Sequence, residues 1–296
     1  MRRGSSAFFA HTETCLRGRL QAPILPVMAS IAHLPHRGVL AIAGADRVSF
    51  LNGLVSNDVS HAAPGQAVWA ALLTAQGRYV TDFFIFAEED RLLLDAPGEA
   101  VAELLVRLKR FKLRAAVELA DVSAQFQVYA TWNGLPPPVP VTAPDPRLDE
   151  AGFRALSETV LQTTATAADY AAHRLALGLP DGPPDLEADK TLLLEAGFDE
   201  LGGVAWDKGC YMGQELTART KYRGLIKRRL VPVRFSESAP PPGTPVLADG
   251  VEVGTLRSCA GLLGLASLRL DALEKPLMAE NVQVQPKIPA WMRLPQ

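Results

Sequence analysis

The sequence has few cysteines, no long hydrophobic run and no excess of charge of either sign. Its three cysteines, Cys15, Cys210 and Cys259, are too few and too scattered for a disulfide framework or a four-ligand zinc site, which favours a reducing compartment. Its longest apolar stretches, such as 67–75, reach about half of the roughly 20 residues needed to cross a bilayer, so no membrane partner is expected. The formal net charge is only −2, so any anion site must be local.

The sequence does contain enough apolar residues to build a core. Of its 296 residues, 48% are apolar and 21% are charged, a balance that excludes a disordered chain. The length is about twice that of a typical domain of roughly 150 residues, which predicts two or three packed units. We expect an α+β region over residues 29–229 and a β-barrel domain over residues 230–296.

Residues 1–28 form an extension that we leave out of the fold prediction. Residues 1–19 carry four arginines, two serines and one acid, which is the composition of an amphipathic transit peptide. The alternative is that translation starts at Met28 and that the preceding segment is a disordered or wrongly assigned extension. A transit peptide would place the protein in the mitochondrial matrix; otherwise we expect the cytoplasm of a bacterium.

The first half of the chain mixes strand and helix signals. Runs typical of strands lie at 39–43, 67–74, 79–87, 92–94, 117–119 and 126–130. The second and third of these runs flank Gln76-Gly77, which predicts a strand pair around a glycine turn. Asp46 is a candidate N-cap for a short helix. An apolar stripe over 98–111 predicts a helix that covers the sheet.

The second half begins with a helix signal and ends in strands. Thr166 and Asp169 have the spacing of a capping box, and Gly178 marks the end of that helix. A loop is expected to turn into a helix near Gly213. Beyond residue 230 the pattern is all-β and predicts a small barrel. Its strand signals lie at 231–235, at 246–256 around the hairpin residues Asp249-Gly250, and at 262–270, where we expect a strand pair.

The densest group of potentially reactive residues is 208–215, which reads Lys-Gly-Cys-Tyr-Met-Gly-Gln-Glu. Lys208 precedes Cys210, and a helix is expected to follow. A nearby ammonium and a helix N-terminus both favour a thiolate, so Cys210 is a candidate for an activated thiol. The alternative is that Cys210 is a small buried hydrophobe, as most free cysteines are. We expect no metal site built from protein ligands alone.

Two runs of cations stand out. Residues 107–114 contain five cations in eight positions, and residues 219–229 contain six in eleven. Each run is either a solvated face or a site for carboxylates or phosphates. Neither run has enough aromatic residues for base stacking, so an RNA-binding module is kept only as an alternative.

Two carboxylates lie next to apolar runs. Asp82 falls inside the apolar strand signal 79–86, where an unpaired charge is costly, so it faces either solvent or a polar pocket. Glu195 follows the apolar residues 192–194. If both side chains face one cavity, they can accept hydrogen bonds from an amino-pyrimidine edge.

The run 208–215, continued by 216–224, resembles the signature of the YgfZ family of folate-binding proteins and its mitochondrial iron–sulfur assembly relatives. Further similarity spans about residues 33–275, at 50–54, 56–59, 77–82, 108–114, 145–147 and 194–195. That family is similar to the aminomethyltransferase of the glycine cleavage system. The resemblance implies an α+β, aminomethyltransferase-like folate-binding fold around a central channel, with a small C-terminal β-barrel, and tetrahydrofolate or a derivative as cofactor.

The resemblance also implies roles for single residues. Asp82 matches an aspartate that faces the folate in the aminomethyltransferase, where it serves catalysis, and Glu195 matches the carboxylate that holds the pterin ring. Cys210 matches the functionally important cysteine of the YgfZ family and is the candidate catalytic thiolate. The candidate folate-binding residues are Asp82, Glu195, Arg78, Tyr211 and Arg223.

The resemblance implies a folate-binding accessory protein for assembly or repair of iron–sulfur clusters, and not a conventional enzyme. Its partners would be iron–sulfur assembly proteins and client cluster enzymes, including enzymes that modify tRNA. Retention of Asp82 favours a different function, a tetrahydrofolate-dependent aminomethyl or one-carbon transferase. We follow the longer and rarer motif at 208–215 and keep the transferase and the RNA-binding module as alternatives.

Overall fold

The structure, a computed structural model, describes Met1, residues 29–224 and residues 226–294. Apart from Met1, the predicted extension over residues 1–28 lies outside the described residues. The described chain forms two antiparallel sheets, a closed β-barrel and the helices that pack on them. Within these residues, no helix combines the length and the apolar character that a bilayer span requires.

Fifteen strands and four α-helices make up this part of the chain. The strands are β1 (Ser30–His33), β2 (Arg37–Ala43), β3 (Val68–Leu73), β4 (Tyr79–Ala87), β5 (Arg91–Pro97), β6 (Glu118–Asp121), β7 (Gln127–Trp132), β8 (Val141–Pro144), β9 (Phe153–Ser157), β10 (Arg228–Phe235), β11 (Pro245–Ala248), β12 (Val251–Ala260), β13 (Leu263–Arg269), β14 (Leu277–Ala279) and β15 (Val282–Pro286). The helices are α1 (Arg47–Asn52), α2 (Gly98–Phe111), α3 (Ala167–Leu177) and α4 (Gln214–Arg223).

The first sheet has the strand order β3-β4-β5-β2-β6 and contains the strand pair predicted around Gln76-Gly77. β3 and most of β4 are buried on both faces, because their alternate side chains enter two different hydrophobic clusters, one of which also contains apolar residues of α1 and α2. The helix predicted over 98–111 is confirmed as α2. Since side chains alternate along a strand, Asp82 shares the face of Phe84, which points away from α2.

The second sheet has the order β1-β7-β9-β8 and packs with α3. α3 begins with the predicted capping box, in which Thr166 and Asp169 bond reciprocally, and it ends at Gly178 with a φ of 77°. The sequence did not predict β1, β8 and β9. These strands have four or five residues each, and Arg154 interrupts the apolar pattern of β9, so none of them shows a clear period of two.

The barrel closes in the order β10-β13-β12-β11-β14-β15. The predicted hairpin at Asp249-Gly250 is confirmed, with φ values of 51° and 79° at the two turn residues. The predicted strand pair over 262–270 is wrong, because this segment is the single strand β13 between β10 and β12. Gly264 does not mark a turn there; its missing side chain leaves room for the ring of Phe235.

Asp46 precedes α1 as predicted, but its side chain does not cap that helix. Instead, Asp46 Oδ2 accepts a hydrogen bond of 2.8 Å from the backbone N–H of Ala116. The carboxylate therefore ties the start of α1 to the segment that follows α2.

Candidate functional site

Cys210 lies on an exposed loop over residues 205–213, just before α4. The predicted change from loop to helix near Gly213 is confirmed. Gly213 has a φ of 82°, and a Cβ atom there would lie 2.6 Å from the carbonyl oxygen of Thr74 and 2.9 Å from Cα of Gly77. The glycine is therefore required by both its conformation and its packing. This contact holds the Cys210 loop against the turn between β3 and β4.

Lys208 fastens the same loop to the end of α1. Its ammonium donates hydrogen bonds to the backbone oxygens of Asn52, Val55 and Asn57, at 2.6, 2.9 and 2.7 Å. Burial lowers the pKa of Lys208 to about 8, and the charge of Asp58 acts in the opposite direction. We expected this ammonium to activate Cys210. The structure instead gives it three backbone acceptors, so Lys208 positions the loop.

Backbone bonds complete the attachment of the loop. The N–H of Met212 donates to the carbonyl oxygen of Gly53, and the N–H of Ala205 donates to that of Ser56. The segment 50–59 and the segment 208–215, both part of the family resemblance, are therefore in direct contact. The loop is held by its backbone and by Lys208, while the side chain of Cys210 remains exposed.

Tyr211 is buried beneath this loop. Its hydroxyl has no hydrogen-bond partner among the described residues, and burial raises its pKa to about 12. The ammonium of Lys208 lies 5.2 Å from the centroid of the Tyr211 ring. Tyr211, a predicted folate contact, thus belongs to the base of the loop in this structure.

Glu195 lies in a 3₁₀ turn, Leu193–Ala196, and is half-buried. Burial raises its pKa, while a backbone hydrogen bond from Leu192 and the charges of Arg78, Arg228 and Arg229 oppose the rise. Arg78 follows Gly77, which packs on Gly213. The structure therefore brings Glu195 and Arg78 to the same side of the molecule as the Cys210 loop.

Asp82 has different surroundings. It is 1% exposed, and its two oxygens accept hydrogen bonds from Trp69 Nε1 at 2.8 Å and from the Tyr79 hydroxyl at 2.7 Å. Burial raises its pKa, and the main charges acting on it are those of Arg37 and Asp181. These are not the charges that act on Glu195. The carboxylate of Asp82 is thus enclosed in the core, with one donor on each oxygen.

Arg223 lies at the exposed C-terminal end of α4, and the cations of the run 219–229 differ in their environments. Lys221 Nζ lies 3.8 Å from the centroid of the Trp206 ring and 3.1 Å from Asp199 Oδ1. Arg229 is buried and bonds to Glu200 and to the carbonyl oxygen of Leu194. A cavity of about 220 Å³, lined in part by Leu194 and Arg229, lies next to the turn that carries Glu195.

Behind Asp82, buried ion pairs link the first sheet, the second sheet and α3. Their members are Arg37, Arg147, Arg154 and Arg174, with Asp95, Asp145, Asp181 and Asp185. Asp95 accepts bonds from Arg37 at 2.6 Å and from Arg154 at 2.8 Å, and the guanidinium carbon of Arg154 lies 3.9 Å from the centroid of Phe84. Sequence reasoning missed this network. Its one signal was Arg154, a cation inside the apolar run of β9.

Within residues 29–224 and 226–294, no group of three or more histidine, cysteine, aspartate or glutamate side chains is placed to hold a metal ion. Among these residues, Cys259 is the second free thiol, and it is half-buried in the barrel strand β12. Burial raises the pKa of Cys259 to about 11. Of the two described cysteines, only Cys210 presents an exposed thiol.

The fold has a known counterpart. The crystal structure of the glycine cleavage system aminomethyltransferase T from Bartonella henselae superimposes with a TM-score of 0.70, covering 89% of this chain and 86% of that one. The two sequences are 14% identical, so this likeness concerns the fold alone. Residues 227–294 match the family described as CAF17, C-terminal beta-barrel domain. The aminomethyltransferase-like α+β fold with a C-terminal barrel is therefore confirmed.

Sequence relatives extend over most of the chain. The human iron–sulfur cluster assembly factor IBA57, mitochondrial, is 31% identical over 299 residues, which cover 87% of this chain and 84% of the human one. The Mycosarcoma maydis homolog is 36% identical over 237 residues, covering 72% of this chain, and the alignment spans 59% of that relative. The Coccidioides immitis homolog is 30% identical, covering 95% of this chain and 80% of that one. On this similarity, the chain belongs to the family of the iron–sulfur cluster assembly factor IBA57.

Proposed function

We propose that this protein is an accessory factor for the assembly or repair of iron–sulfur clusters. The observation that carries the proposal is the exposed thiol of Cys210 on a loop held by Lys208 and by backbone contacts. Cysteine thiolates are the usual protein ligands of iron–sulfur clusters. The relatives named above carry this function in their names.

Cys210 would act together with thiolates from another molecule. Protein-bound clusters commonly have four cysteine ligands, and the described residues contribute one exposed cysteine and no metal-binding group. The cluster is therefore cargo that Cys210 shares with an assembly protein or a client cluster enzyme. Clients that modify tRNA would provide a connection to RNA without direct contact between this chain and RNA.

We also propose tetrahydrofolate or a derivative as a ligand near Glu195. A half-buried carboxylate suits the N–H donors of a pterin ring, and the preceding residue, Leu194, lines the cavity of about 220 Å³, although Glu195 itself does not. Arg78 and Arg223 are cations suited to the carboxylates of the folate tail, and Tyr211 supports the loop between them. The folate would act as a bound ligand here, and no chemical step is assigned to it.

Asp82 is the part of the folate assignment that requires a rearrangement. Asp82 is 1% exposed, so a ligand could reach this carboxylate only if the core residues around it moved. A one-carbon transferase would depend on such an accessible carboxylate. For this reason we assign Asp82 a place behind the folate and do not propose aminomethyl transfer as the activity.

The proposed cellular compartment depends on whether the N-terminal residues act as a transit peptide. The relatives are named as mitochondrial proteins, and residues 1–19 have the composition of a transit peptide. We propose the mitochondrial matrix if this segment acts as a transit peptide, and the bacterial cytoplasm if it does not.

The proposal is tested by anaerobic reconstitution with iron, sulfide and glutathione as the source of further thiolates. The wild-type chain is expected to retain an iron–sulfur chromophore after desalting, and Cys210→Ser is expected to lose it. Cys259→Ser is the matched control and is expected to behave like wild type, because that thiol is half-buried in the barrel. Equal chromophores in Cys210→Ser and wild type would overturn the assignment of Cys210.

The folate ligand is tested separately. Titration with tetrahydrofolate is expected to give saturable binding to the wild-type chain that Glu195→Gln weakens at least tenfold, the effect of losing roughly 1.4 kcal/mol of charge-assisted hydrogen bonding. Unchanged binding in Glu195→Gln would remove this residue from the site without affecting the role of Cys210.

A further inference from the structure

A basic and apolar surface lies at the C-terminal end of α2 and in the turn that follows it. We define this surface, residues 106–114, as the α2 tip. It carries the five cations Arg107, Lys109, Arg110, Lys112 and Arg114. No acidic residue occurs between Leu104 and Val117. Arg107 pairs with Glu103, and no carboxylate in the described part of the chain forms an ion pair with the other four.

The α2 tip also exposes apolar side chains. Leu113 is 88% exposed, Val106 50% and Phe111 41%. Val106, Lys109 and Arg110 have the spacing of one helical face, opposite the buried stripe of α2 that packs on the first sheet, and Leu113 lies in the turn that follows the helix. Apolar side chains and cations are therefore interleaved on a single solvent-facing surface.

The structure holds Leu113 in place. Its φ of 42° lies in the left-handed region, which is uncommon for leucine. The turn is closed by a hydrogen bond of 2.8 Å from Ala115 N–H to Lys112 O, and Asp46 fixes the next residue, Ala116. An exposed leucine between two cations is thus presented by a hydrogen-bonded turn.

The sequence predicted no membrane partner because no apolar stretch is long enough to span a bilayer, but surface binding needs no such stretch. We propose that the α2 tip binds the surface of a membrane that contains anionic phospholipids. Clustered lysines and arginines on an amphipathic helix are attracted to anionic headgroups, and exposed apolar side chains insert at the boundary between headgroups and acyl chains. A leucine cannot stack on a base, and Phe111 is the only aromatic residue of the tip, which disfavours RNA. The surface does not include Cys210 or the other residues of the proposed function, so this inference goes beyond that function.

Acidic residues near the α2 tip limit which part of the tip can bind an anionic membrane. Asp90 and Glu118 share with Lys112 and Arg47 the lining of an open cavity beside the turn. The proposed membrane-binding face therefore leaves out Lys112 and consists of Val106, Lys109, Arg110, Leu113 and Arg114, none of which lines this cavity.

The test uses the full chain and sedimentation with two kinds of vesicle, phosphatidylcholine alone and phosphatidylcholine mixed with phosphatidylglycerol. The chain is expected to bind the mixed vesicles and to be released by salt. Replacing Lys109, Arg110 and Arg114 together by glutamine is expected to weaken binding about 100-fold, since each cation near an anionic surface contributes roughly a factor of five. Leu113→Asn is expected to weaken it about tenfold, because asparagine tolerates the left-handed conformation and removes only the apolar contact.

Matched controls come from exposed residues elsewhere in the chain. Leu135 is 83% exposed, so Leu135→Asn removes an equally accessible leucine. Glutamine replacements of Arg234, Lys275 and Lys287, all exposed on the barrel, remove the same charge. Binding that depends equally on tip and control residues, or no binding to mixed vesicles, would overturn the proposal. Loss of RNA binding, and not of vesicle binding, in the tip variants would also overturn it and would assign the surface to nucleic acid.

Discussion

The Cys210 loop and the interior around Asp82 are organised in opposite ways. The loop is attached through Lys208, Gly213 and backbone bonds, which leave the thiol of Cys210 without a structural task. In the interior, each oxygen of Asp82 has a donor, and the arginines and aspartates behind it pair with one another. The loop therefore offers the exposed thiol on which the proposed function depends, while the interior joins the two sheets and α3.

Cys210 and Asp82 both match functional positions of known families, but this contrast means that they differ in how easily an external partner can reach them. Cys210 needs no rearrangement to meet a partner, since its side chain is exposed. Asp82 is buried, so the core around it must open before an external partner can reach the carboxylate. Four measurements of stability and binding test this difference between the loop and the interior.

The largest effect is expected from breaking the buried network. Asp95→Ala leaves Arg37 and Arg154 without their shared carboxylate in the core, and it should lower the free energy of unfolding by about 3–5 kcal/mol. Urea denaturation measures this loss. The control is Glu88→Ala, which breaks a half-exposed pair with Arg91 and should cost less than about 1 kcal/mol. Equal costs for the two variants would contradict a structural role for the network.

Removing the ammonium that holds the loop should have an intermediate effect. Lys208→Met leaves three carbonyl oxygens without their donor and should lower the free energy of unfolding by about 2 kcal/mol. It should also speed amide hydrogen exchange in residues 205–213. Arg219→Met, an exposed cation on α4, is the control and should change neither quantity. An unchanged exchange rate in the loop of Lys208→Met would show that Lys208 does not position it.

A methyl group at Gly213 should displace the loop with a smaller cost. Gly213→Ala places a Cβ atom 2.6 Å from the carbonyl oxygen of Thr74 at a φ of 82°, and it should cost about 1–3 kcal/mol in urea denaturation. Gly224→Ala provides the control, since Gly224 also has a positive φ, 60°, but has no atom within 4 Å of the added Cβ. The difference between the two variants isolates the contact with the β3–β4 turn. No difference would mean that this contact does not hold the loop.

The smallest expected effect is the pH dependence caused by Glu195. Because folding raises its pKa, the ionised side chain costs folding free energy above that pKa, and the cost disappears as the pH falls through it. A pterin donor needs the carboxylate, so tetrahydrofolate affinity should fall as the pH drops towards this raised pKa, at a higher pH than for an ordinary glutamate. Titrations at several pH values test this. A Glu195→Gln variant with the same pH profile would exclude Glu195 as the titrating group.

Much of the fold was predictable where neighbouring residues determine it. The capping box of Thr166 and Asp169, the apolar stripe of α2 and the Asp249-Gly250 hairpin are all local patterns. β8 and β9 were not predictable, because a proline and a buried arginine disturb their patterns. The strand pair predicted over 262–270 was wrong because the single strand there is fixed by its pairing with β10 and β12, which the local pattern does not show.

The sequence identified the candidate residues of the site, but it did not predict which residues they contact. The motif around Cys210 and the carboxylates Asp82 and Glu195 could be identified from the sequence and its family resemblance. Arg37 meets Asp95 across 58 residues and Asp181 across 144, and no local pattern encodes such pairs. The same holds for Lys208, whose acceptors lie about 150 positions earlier in the chain.

The central claim, that the exposed thiol of Cys210 serves iron–sulfur cluster assembly, is tested most directly in cells that depend on this chain. The measurement is the activity of an enzyme with a four-iron cluster, with the level of this chain checked by immunoblot. Cys210→Ser is expected to lose that activity at a normal protein level, and Cys259→Ser is expected to retain it. Full activity in Cys210→Ser would contradict the account.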